Sequence, residues 1–130
     1  MSYFFATTLP GTMESVEETT RAALKEKGFG VLTEIDIKAT LKAKLDKDLD
    51  GYKVLGACHP PSAYEAISSE PHIGLMLPCN VVLRDVGDGQ IEVSAIDPVA
   101  SMQAVDNNSL GAVAMDVRSR LQEVISGLGS

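Results

Sequence analysis

The chain has 130 residues, of which 45% are hydrophobic and 22% are charged. This length fits a single domain over residues 1–130, and the hydrophobic content excludes an intrinsically disordered chain. The formal net charge of −7 argues against nucleic acids and anionic membranes as partners, because both attract clustered cations.

The N-terminal segment has neither a cationic region nor a long apolar run, so no signal peptide is evident. No apolar run approaches the roughly 20 residues that cross a bilayer. Two cysteines without a secretion signal are typical of a reducing compartment, where both remain free thiols. We therefore expect a soluble cytoplasmic protein with an aliphatic core, since aromatic residues are scarce.

The sequence indicates where the first strand ends and where the first helix begins and ends. Residues 3–8 are rich in aromatic and β-branched side chains, which predicts a strand that ends before Gly11. Thr12 is a candidate N-cap for the helix that follows, since glutamates occupy its first turns. Gly28 in the left-handed position, with Phe29 folding back on the last turn, predicts where this helix ends.

A second strand and a short helix come next. Residues 31–37 alternate in strand period, with one largely apolar face and with Glu34 and Asp36 on the wet side. Leucines four residues apart predict an amphipathic helix over 38–47. A polar turn over 46–51 follows.

A third strand and two short helices surround the cysteines. Residues 52–58 predict the strand, and the two prolines after it end the ladder because proline donates no hydrogen bond there. Residues 62–69 predict a short helix. Pro71 suits the first position of a further helical turn, which Pro78 closes.

Charge fixes the register of a hairpin that turns near Gly89. A two-residue turn in a regular ladder would place Asp85 opposite Glu92, and like charges facing each other across a ladder repel. A three-residue loop over 87–89, with Gly89 in the left-handed bulge position, places Arg84 opposite Glu92 instead. The sequence therefore predicts the three-residue loop.

The same register also predicts which face of the hairpin is apolar and buried. Leu83 then faces Val93, and Val81 faces Ala95. After the hairpin, Asp97 caps a short turn, and a final helix carries one apolar stripe. The stripe consists of Leu110, Val113, Val117, Leu121, Val124, Ile125 and Leu128.

These elements define the fold class. Five strands, two of them in an antiparallel hairpin, and several helices predict an α+β domain. We expect a curved, mainly antiparallel sheet of about five strands with the helices packed on one face. No internal repeat or low-complexity linker indicates a second domain.

Both cysteines lie in the segment richest in proline and histidine, which makes this segment the candidate site. Cys58 ends a strand just before a helix begins, where the helix dipole favours a thiolate. Cys79 opens the next strand. A pair of adjacent thiols could form a transient disulfide, bind a soft metal or carry sulfur. Two buried cysteines acting as small apolar residues would give the same pattern.

No other pattern defines a catalytic or metal site. His59 and His72 match no structural zinc spacing, and strand alternation turns Cys58 and His59 to opposite faces, so no metal is predicted. Glu34 and Asp36 could serve acid–base catalysis, but the wet side of a half-buried strand explains them more simply. The sequence predicts no cofactor and leaves any catalytic residue unknown.

Several segments, in order along the chain, resemble one known family. These are GVLTEIDIKATLKAKL at 30–45, GACHP at 56–60, AYEA at 63–66, EPHIGLMLPCNV at 70–81 and EVSAIDP at 92–98. They are similar to the small prokaryotic proteins grouped as domain of unknown function 302. The resemblance implies a compact α+β domain with a curved antiparallel sheet, and it implies that two copies pair as a homodimer.

The resemblance assigns no activity, but its shared positions are where a site is expected. The candidate ligand or thiol residues are Cys58, Cys79, Asn80, Glu65 and Asp97. The leading hypothesis is a non-enzymatic homodimer that binds a small ligand or partner near the two cysteines. The alternative is thiol-based sulfur carriage or redox sensing, and a third reading is a purely structural or interaction module. Carboxylate-based enzyme chemistry is least favoured.

Overall fold

The chain folds as alternating strands and helices in a computed structural model that describes residues 2–129. In chain order the elements are β1 (Phe4–Pro10), α1 (Met13–Glu26), β2 (Gly30–Asp36), α2 (Ile37–Leu45), β3 (Tyr52–Cys58), α3 (Pro60–Ser69), a 3-10 helix (Pro71–Met76), β4 (Cys79–Gly87), β5 (Gln90–Ile96), α4 (Pro98–Ser101) and α5 (Leu110–Leu128). The strands form one antiparallel sheet in the order β1-β5-β4-β3-β2. The predicted α+β class is therefore confirmed.

Helices α1 and α5 cover one face of the sheet, which we call the inner face. Leu55, Val81, Leu83, Ile91 and Val93 point to this face and are almost fully buried. Every residue of the apolar stripe predicted for the last helix is buried as well. None of the helices within residues 2–129 is long and apolar enough to cross a membrane.

The opposite side of the sheet, which we call the outer face, is partly open to solvent. Phe4 and Ile35 on this face expose 42% and 46% of their surface. Strand alternation and register place the following residues there: Phe4, Ala6 and Thr8 of β1, Glu92, Ser94 and Ile96 of β5, Asn80, Val82 and Arg84 of β4, Tyr52, Val54 and Gly56 of β3, and Thr33 and Ile35 of β2.

Both predicted ends of α1 are confirmed. Thr12 Oγ1 accepts a hydrogen bond from Ser15 N, and Ser15 Oγ accepts one from Thr12 N, each at 3.0 Å. At the other end Gly28 has a φ of 87°, and Phe29 N donates to Leu24 O at 3.0 Å. This C-terminal motif turns the chain sharply, and it packs Phe29 into the core at the end of the sheet.

The predicted hairpin register is confirmed. Arg84 pairs with Glu92 across the ladder, and Leu83 pairs with Val93. Arg84 Nε donates to Glu92 Oε1 at 2.8 Å on the outer face. Leu83 and Val93 are fully buried on the inner face. Charge on one side and apolar burial on the other therefore select the same alignment.

The predicted three-residue loop of this hairpin is wrong. Gly87 pairs with Gln90, so the turn has two residues, Asp88 and Gly89, with φ angles of 56° and 69°. Two positive φ angles define the type I′ turn that suits the twist of a hairpin. The extra residue is Val86, which forms a bulge in β4 and shifts the ladder. The bulge gives the favourable charge pairing that a regular two-residue hairpin would lack.

The predicted faces of β2 also differ from the structure. Glu34 leans over α1, where its Oε1 lies 2.7 Å from Arg21 Nη2, whereas Ile35 is exposed on the outer face. The reason is that β2 is an edge strand and α1 presents charged side chains to it. The following helix, α2, buries no residue, so the predicted amphipathic helix at 38–47 has no packed apolar side.

Four charges join α1 to the neighbouring strands. Lys53 Nζ donates to Glu17 Oε1 at 2.8 Å, and Arg21 Nε donates to Glu17 Oε2 at 2.9 Å. Arg21 also reaches Glu34. Burial acts to raise the pKa of Glu17, but the hydrogen bonds from Lys53 and Arg21 outweigh it and hold this pKa below its ordinary value of 4.5. The network therefore fixes α1 over β3 through charge as well as packing.

We expect Gly56→Ala to destabilise the fold. A Cβ atom at Gly56 would meet Thr33 Oγ1 and would lie 2.6 Å from Pro78 Cγ, and the proline ring cannot rotate away. Overpacking of this kind costs about 1–3 kcal/mol in the free energy of unfolding, which urea denaturation measures. Gly74→Ala is the matched control, because its added Cβ meets no atom within 4 Å. Equal stability of the two variants would contradict this close approach.

Candidate functional site

The end of β3 and the start of β4 lie side by side at one end of the sheet. Ala57 pairs with Cys79 across the ladder, and Cys58 is the next residue of β3. Both cysteines are free thiols, Cys58 half-buried and Cys79 buried. Two cysteines that are far apart in the sequence thus lie on adjacent strands because antiparallel pairing brings their strand ends together.

A cavity of about 240 Å³ opens between these strand ends and the helices α3 and α5. Cys58 and Cys79 line it from the sheet, and Val113 and Val117 line it from α5. Phe29, placed by the C-terminal motif of α1, lies against the same space. Among the described residues, none of the side chains that line the cavity is an Asp, Glu, Lys or Arg. The space is therefore apolar and uncharged, although the chain as a whole is strongly acidic.

His59 and Ser62 form the polar edge of the cavity. His59 Nδ1 lies 2.7 Å from Ser62 Oγ, and the His59 ring packs edge-on against Phe29 with the ring centroids 5.9 Å apart. Burial and then the charge of Arg120 lower the pKa of His59 from its ordinary value of 6.5. The ring is therefore neutral at pH 7, and the His59–Ser62 pair is a neutral hydrogen-bonding group at the rim of an apolar space.

The N-terminus of α3 offers little to a thiolate or another anion. Cys58 immediately precedes the N-cap residue His59, as the sequence indicates. Pro60 and Pro61 fill the first two helical positions, and proline has no N–H group to donate. Since the positive end of a helix consists mainly of such N–H groups, this helix end presents fewer donors near Cys58 than the sequence pattern alone suggests.

Cys79 is poorly suited to nucleophilic chemistry. Its surface is 6% exposed. Burial, and then the neighbouring Cys58, raise the pKa of the Cys79 thiol to about 11. Because the thiolate is the reactive form, a protonated and buried thiol reacts slowly at neutral pH. Any thiol chemistry at this site would start at Cys58.

The other three predicted site residues do not line the cavity. Glu65 is exposed on α3, and Asn80 is exposed on the outer face of the sheet. Asp97 is buried, and its carboxylate accepts hydrogen bonds from Val99 N at 3.0 Å and from Arg118 Nε at 3.1 Å. Asp97 therefore caps α4, as the sequence predicts, and ties it to α5. The structure brings together only Cys58 and Cys79 of the five candidates.

Within residues 2–129, no group of three or more His, Cys, Asp or Glu side chains is arranged to hold a metal ion. His72 lies on the 3-10 helix with an 87% exposed side chain, and its Nδ1 is 3.9 Å from Glu70 Oε2. His59 is engaged with Ser62. The two histidines thus belong to different parts of the surface.

Sequence reasoning misses most of the cavity wall. The pattern explains Phe29 as a helix stop and Val113 and Val117 as part of an apolar stripe, and it considers His59 only as a possible metal ligand. A cavity is a space that packed side chains leave empty, and no motif encodes it. One usable signal is the run of small side chains on neighbouring elements, at 56–58 of β3 and in the alanines of α3.

These observations define a small α+β domain with one open sheet face and an uncharged cavity at its cysteine-bearing strand ends. The chain belongs to the family described as domain of unknown function DUF302, whose model matches residues 5–128. It shares its fold with the crystal structure of an uncharacterized conserved protein DUF302 from Bacillus stearothermophilus. The TM-score is 0.88 at 21% sequence identity, over 97% of this chain and 98% of that chain. None of the curated proteins matches the sequence.

Ellman's reagent should modify Cys58 before Cys79, because Cys58 is partly exposed and the Cys79 thiol is buried and protonated. We expect one fast phase per folded chain at pH 8 and a second thiol that reacts only after unfolding in urea. Cys58→Ala should remove the fast phase, and Cys79→Ala should leave it unchanged. A fast phase that survives in Cys58→Ala would contradict this assignment.

The raised pKa of Cys79 also predicts a loss of stability at high pH. The folded state holds this thiol proton more tightly than the unfolded chain. The contribution is therefore fully present below the unfolded pKa near 9.0 and is lost as the pH rises towards about 11. The free energy of unfolding should fall more steeply over this range in the wild type and in Cys58→Ala than in Cys79→Ala. Equal slopes in all three proteins would show that Cys79 is not buried.

Proposed function

We propose that the protein binds a small, uncharged, mainly apolar molecule in the cavity at the Cys58 and Cys79 strand ends. The cavity volume of about 240 Å³ carries this proposal. Small-molecule sites are concave pockets lined mainly by apolar side chains, and this one reaches the surface at the exposed side chains of Leu32 and Ile67. An apolar space of the present size therefore favours a ligand over water.

The lining defines the class of ligand. Phe29, Ala57 and Val117 present apolar surface to the body of the molecule. Ser62 and His59 can exchange a hydrogen bond with one neutral polar group at the rim. A charged ligand would lose its hydration with no opposite charge to replace it. The ligand is thus a small aromatic or branched aliphatic molecule with a single hydroxyl or N–H group.

Thiol chemistry is a second candidate function at the same place. The position of Cys58 at the strand end beside Cys79 favours it, because two neighbouring sulfur atoms suit sulfur carriage or reversible oxidation. The burial of Cys79 weighs against it. Ligand binding therefore ranks first, and it assigns no catalytic step to the protein.

Methyl NMR with indole, phenol and toluene as probes tests the proposal. At least one of them should produce saturable shifts of the Val113 and Val117 methyl groups. Ala63→Phe places a large ring into the cavity from α3, and we expect it to weaken binding at least tenfold, which corresponds to about 1.4 kcal/mol.

The matched control is Ala112→Phe, which makes the same change at an exposed position of α5. It should bind the probe as the wild type does. Failure of all three probes to shift these methyl groups would overturn the proposal, and so would equal weakening by both variants.

A further inference from the structure

The cavity beside the two cysteines reaches solvent at two exposed aliphatic side chains, Leu32 of β2 and Ile67 of α3, which we call the mouth. Both line the cavity, although Leu32 is 67% exposed and Ile67 is 47% exposed. Ala57 and Cys79, which line the same cavity from the sheet, are buried. The lining therefore passes from buried to exposed with apolar side chains at both ends, and a ligand confined to the buried part would leave the mouth in water.

A β-bulge places Leu32 at the mouth. The ladder of β2 with β3 shifts between Val31 and Thr33, so Leu32 is the extra residue of a bulge. Bulges re-aim side chains and recur beside functional sites. An exposed leucine on an edge strand is a liability, because it favours pairing with other chains, whereas here it borders the cavity. The local backbone of β2 thus directs an apolar side chain to the place where the cavity opens.

One side of α3 runs from the polar pair to the mouth. The residues of this segment that line the cavity recur at helical spacing, and they are His59, Ser62, Ala63, Ala66 and Ile67. Five positions separate Ser62 from Ile67, which is about 7.5 Å of helix axis at roughly 1.5 Å per residue. An extended chain advances roughly 1.2 Å per bond, so about six bonds cover this distance. A ligand whose hydroxyl lies at Ser62 therefore reaches the mouth with a short chain.

We infer that the ligand carries a linear apolar chain that leaves the cavity through the mouth and covers Leu32 and Ile67. This inference rests on the proposed function, because it takes the cavity as the binding site of an uncharged molecule. The head of the ligand, with its single hydroxyl or N–H group, lies at Ser62 and His59, and the chain follows α3 outwards. The class of ligand is thus an alkyl-substituted phenol, alcohol or amide, since a charged head would lose its hydration in an uncharged space.

The chain and the head of the ligand contribute to affinity in different ways. Each methylene that is fully removed from water strengthens binding about fourfold. A methylene that lies beyond the mouth stays in water and adds nothing. Affinity should therefore rise with chain length and then level off once the chain has passed Leu32 and Ile67. A ligand that stopped inside the cavity would show no such rise.

A series of 4-alkylphenols tests the inference, with the Val113 and Val117 methyl shifts reporting each dissociation constant. Phenol, 4-ethylphenol, 4-butylphenol and 4-hexylphenol share one head and differ only in the chain. We expect the affinity to rise at least about tenfold from phenol to 4-butylphenol and to level off by 4-hexylphenol. Ala63→Phe, which fills the cavity, should weaken binding of the whole series, because the chain adds affinity only when the head is in place.

Leu32→Ser and Ile67→Ser should each reduce the gain from the butyl chain at least about threefold and leave the affinity for phenol unchanged. Leu75→Ser and Ile35→Ser make the same changes at exposed positions outside the cavity lining, and they should keep the full gain. Circular dichroism confirms the fold of each variant. Phenol that binds without any gain from the chain would overturn this inference and leave the proposed function intact, and equal losses in all four variants would overturn it as well. If none of the four phenols shifts the methyl groups, the inference also falls, and indole and toluene then decide the proposed function.

Discussion

The ladder between β3 and β4 is the constraint on which the rest of the site depends. It places Ala57 opposite Cys79 and Gly56 opposite Asn80. A slip of one residue would turn Cys79 to the outer face and would remove one wall of the cavity. The bare Cα of Gly56 lets Pro78 approach the strand closely, so that the chain enters β4 at the required position. The register of this ladder and the close packing of Pro78 on Gly56 therefore together determine where the two thiols lie.

The distribution of charge separates the surfaces of this protein by role. Most of the acidic side chains lie on the helices and in the turns, where they are solvated. Two regions have little or no net charge: the cavity at the strand ends and the outer face of the sheet, where Arg84 and Glu92 pair. The cavity is lined mainly by apolar side chains with the His59–Ser62 pair at its rim, whereas the outer face mixes apolar and polar side chains with the Arg84–Glu92 ion pair. Apolar surface without charge, as in the cavity, is where an apolar ligand can be desolvated at low cost.

The sequence predicts those features that are determined by contacts between residues close together in the chain. Gly28 and Phe29 end α1 as expected, because a left-handed residue followed by an apolar one has few alternatives. The pairing of Arg84 with Glu92 follows from charge and burial together. The bulge at Val86 is not predicted from the sequence. A two-residue turn with a bulge gives the same pairing of Arg84 with Glu92 as a three-residue loop, so that pairing cannot distinguish the two.

The features that tertiary packing decides could not be read from the sequence. The orientation of β2 depends on the charged side of α1, and Glu34 therefore leans inwards while Ile35 faces outwards. Of the predicted site residues, only the two cysteines line the cavity. The Asp97 carboxylate instead caps α4 and accepts a hydrogen bond from Arg118. The cavity itself results from small side chains meeting across two elements, which no single segment reveals.

The most direct test of this account is a crystal of the protein pressurised with xenon. Xenon is an uncharged atom that enters dry apolar cavities of sufficient size. The account predicts a xenon atom between Phe29, Cys79 and Val117, in the space at the strand ends. A space that is filled by ordered water, or closed by inward movement of α3, would contradict the central claim that this domain holds an apolar binding cavity.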